Sequence, residues 1–368
     1  MPDRTTTTTT ALGVAVASRT PVLLWGSPGT GKSSVVRDLA AAMDLPCEVV
    51  IASIREPSDF AGLPIVVDGG VRFAPPTWAT SLAEHGRGLL FLDEISTAPP
   101  AVQAALLRVV LERTVGDLLL PPDVVVVAAA NPPDQAADGW DLSAPLANRF
   151  CHLDWVVEAA TVSEGLAAGF ASPTVPELPP AADGDRPSPG ARRARAEVAA
   201  FLRLRPGVVA APPTDRAAAG RAWPSPRTWE MAADLLWASR AAGVSTEVRT
   251  ALICGSVGDG PGTEFLAWLA DLDLPDPEAV LADPAGFELP ARGDRAYAVL
   301  TGVAAAVAAE PTPERWAAGW QVLGRAGEQA PDVAAMAARI LARCRPDGAS
   351  TPPEAAAFLP LLRDAGLV

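Results

Sequence analysis

Between residues 20 and 155, short unbroken apolar runs alternate with stretches in which apolar residues recur every three or four positions. The first kind of run marks a strand buried on both faces and the second an amphipathic helix, so their alternation predicts a parallel sheet flanked by helices. Five strands are expected, at 22–25, 48–52, 89–92, 124–129 and 150–155, with connections long enough for crossover helices. Between the second and third, two β-prone runs surround Asp68-Gly69-Gly70 and predict a hairpin insertion. After Pro99-Pro100, Val102, Leu106, Val109 and Val110 keep helical spacing while Arg108, Glu112 and Arg113 fall elsewhere, and 114–120 reads as a second small hairpin. Over 172–191 proline, glycine and acidic residues replace the periodicity, which reads as a linker. Helical patterns then resume at 192–204, 226–242 and 247–269 and continue almost to the end of the 368-residue chain. A chain of that length exceeds one usual core, so more than one domain is expected.

Composition narrows the classes. The chain is 49% hydrophobic, 20% charged and only 5% aromatic, with much of the apolar share in alanine, which favours helices. Its formal net charge of −14 opposes binding of nucleic acid or an anionic membrane over the whole surface. No run of about 20 apolar residues offers a membrane span, and the apolar stretch at 11–17 is too short for a secretory signal. Cys47, Cys151, Cys254 and Cys344 lie far apart without C-x-x-C spacing, so reduced thiols and a cytoplasmic location are expected. His85 and His152, the only histidines, suggest neither relay nor metal site. The threonine run at 5–10 reads as low-complexity and frayed.

Candidate chemistry begins at Gly26-Ser27-Pro28-Gly29-Thr30-Gly31-Lys32-Ser33, which fits G-x-x-x-x-G-K-[ST] and joins an expected strand to an expected helix that continues through Ser34. Glycines there let backbone N–H groups turn toward phosphate oxygens, Lys32 reaches the β- and γ-phosphates, and Ser33 offers a hydroxyl to Mg²⁺. Leu89 to Leu92 is followed by Asp93-Glu94, which puts two carboxylates at the end of a buried strand beside that loop. Asp93 then belongs to the Mg²⁺ shell and Glu94 to the attacking water. The strand at 124–129 delivers Asn131 to the same edge, where its amide can meet the γ-phosphate or the water.

These motifs, together with Leu146-Ala147-Asn148-Arg149-Phe150 and Trp223-Pro224-Ser225-Pro226-Arg227, resemble in their order the AAA+ ATPases of the MoxR branch, the dynein-related type. The resemblance covers most of residues 20 to 270. It implies an α/β P-loop core with a five-stranded parallel sheet over 20–158 and an all-α lid over 159–270 containing the linker; outside the resemblance, the helical patterns give a helical C-terminal extension over 271–368 and the low-complexity start a flexible segment over 1–19. The resemblance implies ATP and Mg²⁺ as cofactors, Asn131 as sensor 1, Arg149 as the arginine finger and Arg227 as the sensor 2 arginine. It further implies a ring, a hexamer, that remodels a protein client with a von Willebrand factor A domain partner, and it makes Phe60 and the hairpin at Asp68 candidates for client contact. Two other readings stay open, a nucleic-acid-associated motor on the same core and a nucleotide-binding switch or scaffold with negligible turnover. Arg108 and Glu112 form an i,i+4 pair, so Arg108 is expected on a solvated face.

Overall fold

Helix α1 (Arg4–Ala17) leads to strand β1 (Val22–Trp25), and a glycine-rich turn passes the chain to α2 (Lys32–Ala42). Strand β2 (Cys47–Ile51), a short α3 (Ser58–Ala61), the strands β3 (Leu63–Val67) and β4 (Gly70–Ala74) and helix α4 (Thr77–His85) precede β5 (Arg87–Asp93). Helix α5 (Pro100–Glu112), the two-residue strands β6 (Thr114–Val115) and β7 (Leu118–Leu119), then β8 (Asp123–Ala130), α6 (Ala144–Ala147) and β9 (Cys151–Asp154) follow. This computed structural model describes residues 4–132, 135, 140–180, 182–183, 186–271, 274–364 and 366. Residues 1–3 of the expected N-terminal segment, Pro133, residues 181, 184 and 185 of the expected linker and Ala365 lie outside them.

The five expected strands form one parallel sheet in the order β2-β5-β8-β1-β9. All four residues of β1 and seven of the eight in β8 are buried, as unbroken apolar runs require when helices cover both faces. One face packs Leu23, Leu90, Leu92, Val126 and Ala128 against Phe60, Trp78, Leu106 and Phe150. Phe60 is thus a core residue, its ring 6.3 Å from that of Trp78. It was a candidate for client contact, and the apolar environment beneath α3 claims it instead.

The N-terminal segment, expected to be flexible, is helix α1 over 4–17. Thr5, Thr8, Leu12 and Ala15 recur at helical spacing and are buried. Strand β9 is an edge strand, and the hydroxyls of Thr8 and Thr5 donate to the carbonyls of Asp154 and Val156, both at 3.0 Å. Threonine has low helix propensity in isolation; here its hydroxyls satisfy strand carbonyls that would otherwise be left without partners.

The turn of the short hairpin at 114–119 locks onto the base of the longer hairpin at 63–74. Asp117 N donates to Phe73 O and Phe73 N to the Asp117 carboxylate, both at 3.0 Å. Gly116 has φ +59°, and a Cβ there would stand 2.4 Å from Phe73 O. Gly116→Ala should therefore lower the thermal midpoint by several degrees, the effect of about 1–3 kcal/mol of clash and backbone strain; an unchanged midpoint would refute the interlock. The longer hairpin carries Leu63, Val66, Val71 and Phe73 to solvent, Val66 at 80% exposure.

Beyond β9 come α7 (Ala159–Ala168), α8 (Pro189–Leu204), α9 (Arg216–Ala219), α10 (Pro226–Ala241), α11 (Thr246–Val257), α12 (Asp259–Ala270), α13 (Pro277–Ala282), α14 (Gly293–Ala309), α15 (Pro313–Gln329), α16 (Pro331–Arg343) and α17 (Leu359–Asp364). The chain divides into a first unit, 1–179 with 209–263, and a second, 180–208 with 264–368. An undivided lid over 159–270 was expected; its parts at 180–208 and 264–270 instead join the C-terminal helices. The reason is a buried stripe on α8, Ala191, Ala194, Val198 and Phe201, whose Phe201 ring lies 5.2 Å from that of Phe265. The second unit has its own core, in which Trp316 and Trp320 meet edge to face at 5.9 Å. No helix among the described residues is long and apolar enough to cross a membrane.

Candidate nucleotide site

Strand register brings the sequence motifs to one edge of the sheet. Trp25, the last residue of β1, pairs with Ala130 of β8, so Gly26 and Asn131 leave the sheet side by side, and Gly26 N donates to Ala130 O at 3.1 Å. Asp93 ends β5, the strand on the other side of β8. Gly29 and Gly31 have φ of +75° and +86°, the left-handed conformation that lets successive N–H groups face one concavity before α2 begins. A Cβ on Gly26 would sit 2.7 Å from Trp155 O, and Trp155 Nε1 donates to Thr30 O at 2.9 Å, so the loop is braced from the β9 side.

Lys32 is buried, at 7% exposure. Its Nζ donates to Gly26 O at 2.5 Å, Ser27 O at 2.9 Å and Asn131 Oδ1 at 2.9 Å, all neutral oxygens. Burial pushes its pKa down, opposed in part by Asp93 and Glu94. An ammonium in that state is stabilised by any anion placed against it. Ser33 Oγ donates to Asp93 Oδ2 at 2.6 Å, and the backbone N–H of Glu94 donates to the other carboxylate oxygen at 3.0 Å. A hydroxyl and a carboxylate are hard oxygen donors, and two protein ligands suit Mg²⁺, which keeps several waters and takes the rest of its shell from phosphates.

Glu94 has φ +54°, in the left-handed region where a non-glycine residue costs about 1–2 kcal/mol. That turn takes its side chain off the line of β5, and Ser53 Oγ donates to Glu94 Oε2 at 2.6 Å. Ser96, 3% exposed, accepts from the backbone N–H of Asn131 at 3.1 Å, fixing the backbone from which the Asn131 side chain projects. Neither serine was given a role from the sequence, because each acts through a bond that only the sheet register creates.

Arg149 and Arg227 lie elsewhere. Arg149 precedes β9, and β9 runs parallel to β1 with Cys151 beside Val22, so Arg149 sits at the end of the sheet remote from the loop that follows Trp25. Four residues of strand separate the two ends by about 13 Å. Asn148, buried, donates to Trp223 O at 3.0 Å and accepts from Ser225 Oγ at 2.7 Å, pinning the start of α10 to this remote end. Ser225 caps α10 with Pro226 in the first turn, and Arg227 follows. Burial first, and the nearby charge of Arg227 second, lower the pKa of Arg149. Neither guanidinium has a carboxylate partner among the described residues.

Residues 21–150 match the family model of the AAA domain, dynein-related subfamily. This stretch is an AAA domain. A curated relative, the "Pathogenicity locus probable regulatory protein WtsA" of Pantoea stewartii subsp. stewartii, is 33% identical over 123 residues, which is 30% of this chain and 37% of that protein. The chain therefore spans little more than a third of that relative's length. A candidate ATPase from Cytophaga hutchinsonii, known from a crystal structure, aligns over 67% of this chain and 79% of its own with 18% identity and a TM-score of 0.40.

The AAA domain thus brings Lys32, Ser33, Asp93, Glu94 and Asn131 together and leaves Arg149 and Arg227 as a pair of their own. Arg108 bonds Glu112 at 3.0 Å as its spacing implies, and the Arg113 guanidinium caps the carbonyls of Pro121 and Val124. Ser34 lies one residue into α2 beyond Ser33. His152 is structural, as its isolation in the sequence implied. Its Nδ1 accepts from Trp25 Nε1 at 2.9 Å and its Nε2 lies 2.9 Å from Ala147 O. Burial lowers its pKa from 6.5 to about 4. Folding therefore favours the neutral ring, so its stabilisation is full above about pH 6.5 and is lost as pH falls through 4. The first unit should lose thermal stability over that window, and His152→Gln should flatten the pH dependence; an equally steep profile in the variant would refute this.

Proposed function

We propose that this protein hydrolyses ATP with Mg²⁺, and the observation that carries the reading is the meeting of Lys32, Ser33, Asp93 and Asn131 at hydrogen-bond distance on one sheet edge. In this reading the loop N–H groups at 26–34 and Lys32 bind the β- and γ-phosphates. Mg²⁺ would be held through Ser33 and Asp93 and would neutralise phosphate charge. Glu94, once released from Ser53, takes a proton from the attacking water, and Asn131, held by Ser96, orients that water or the γ-phosphate. Phosphate release from ATP by the purified chain tests this. EDTA should abolish it and added Mg²⁺ restore it; release indifferent to EDTA would refute the assignment.

AAA+ ATPases generally assemble into rings. Two guanidiniums without a carboxylate partner among the described residues, at the end of the sheet remote from their own loop, favour the reading that Arg149 and Arg227 serve the γ-phosphate of a neighbouring subunit. The order of motifs supports membership of the MoxR branch, a hexamer, and a remodelling role on a protein client with a von Willebrand factor A domain partner. The exposed apolar hairpin with Val66 and Val71 is then the client-facing element. A client trapped in ATP by the Glu94→Gln protein would identify both.

A further inference from the structure

The segment 221–225 runs back along β9. Arg221 Nη1 bonds Asp154 Oδ1 at 3.1 Å at the end of the strand beside the phosphate loop, whereas Trp223 and Ser225 hold Asn148 at its other end. Arg221 therefore lies at the end of β9 beside the chain's own loop, and Arg227, just beyond Ser225, at the other end. The Arg221 guanidinium lies 4.0 Å above the ring of Trp25, the residue immediately before Gly26. That indole is fixed by its hydrogen bond to His152, and it is itself buried. Next to Arg221 opens a cavity of about 630 Å³, bordered by Thr8 of α1, His152 and Asp154 of β9, and Glu247 and Gly258 at the two ends of α11. Its volume is that of a small-molecule site. Asp154, which borders the cavity, pairs with Trp25, the residue before the phosphate loop.

We propose that Arg221 is the stacking platform for the base of a purine nucleotide, its planar guanidinium held between the Trp25 ring and the base. The proposal rests on the reading of 26–33 as a triphosphate site and assigns the other half of the same ligand. A guanidinium is flat and weakly hydrated and stacks well on π-faces, which an ammonium does not. Trp25 below it adds a cation–π contact, and Asp154 fixes the plane and offsets the charge. Stacking reads area rather than the hydrogen-bonding edge, so purines are preferred over pyrimidines while adenine and guanine are separated only weakly.

Calorimetric titration of the full chain with Mg²⁺ and ATP, CTP or inorganic tripolyphosphate separates the base from the phosphates. In Arg221→Ala and in Arg221→Lys the Kd for ATP should rise about tenfold, within the range a stacked base contributes. The Kd for CTP should rise less, and that for tripolyphosphate should not change. Tripolyphosphate weakened in parallel with ATP would make Arg221 a phosphate ligand and overturn the platform. So would full ATP affinity in Arg221→Lys, since charge without a flat face would then suffice, and so would unchanged ATP affinity in both variants. Wild-type protein that binds neither ATP nor tripolyphosphate would instead overturn the phosphate-loop reading, and the platform with it. Arg221 is half-exposed, and matching thermal midpoints confirm that the variants fold.

Discussion

The Glu94→Gln protein should bind ATP as tightly as the wild type and release phosphate at least about 100-fold more slowly, because a positioned base contributes about 10² to 10⁴ in rate and little to ground-state binding. The substitution is nearly isosteric and Glu94 is exposed, so the fold is not at risk. The Gln amide still meets Ser53 and leaves Asp93 and Ser33 as they are. Lys32→Ala should fail in the opposite way. Its Nζ ties Gly26, Ser27 and Asn131 together, so removing it takes away both the cation for the phosphates and the brace of the loop, and ATP binding should drop below detection. Equilibrium binding and single-turnover phosphate release, measured on both variants, separate these effects. Equal turnover by Glu94→Gln and wild type would remove Glu94 as the base and favour a nucleotide switch or scaffold on this fold.

What the sequence made legible follows from how local each signal is. Val22 to Trp25, the glycine loop and the helix that begins at Lys32 are consecutive, so period and turn chemistry suffice to place them. The same holds for the run from Leu89 into Asp93-Glu94. Ser53 and Ser96 escaped because their function is a cross-strand bond, set by the pairing of Ile51 with Asp93 and of β5 with β8. Helix α1 escaped because a threonine run has neither apolar period nor helix propensity; it is tied down by hydroxyl bonds to the Asp154 and Val156 carbonyls at the end of β9, and their position is a property of the sheet. The boundary at 180–208 escaped for a similar reason, since α8 packs not only on Phe265 but on α14, about a hundred residues away. Arg227 was legible as a motif residue, but only the bonds from Asn148 to Trp223 and Ser225 put it beside Arg149.

That placement gives the second large effect. Arg149→Ala should bind ATP and lose hydrolysis by about 10³-fold or more, the worth of an arginine at the transferring phosphoryl group. Among the described residues its guanidinium is anchored through Pro145 O alone, so its removal costs the fold little, and taking away one of two like charges relieves Arg227. If the site is shared, Arg149→Ala subunits still bring Lys32, Asp93 and Glu94, while Glu94→Gln subunits still bring Arg149. In an equal mixture of two inactive proteins about a quarter of the junctions in a head-to-tail ring would then combine an intact Glu94 with an intact Arg149, and activity should return toward that fraction of wild type. Arg227→Ala mixed with Glu94→Gln decides the second arginine. Rescue means that it acts across the junction, whereas an arginine serving its own loop would give none, because every intact Glu94 would sit in a subunit lacking Arg227. No rescue at any ratio for Arg149→Ala would leave its position at the remote end of β9 without a catalytic role and would make the paired guanidiniums a structural feature of the start of α10.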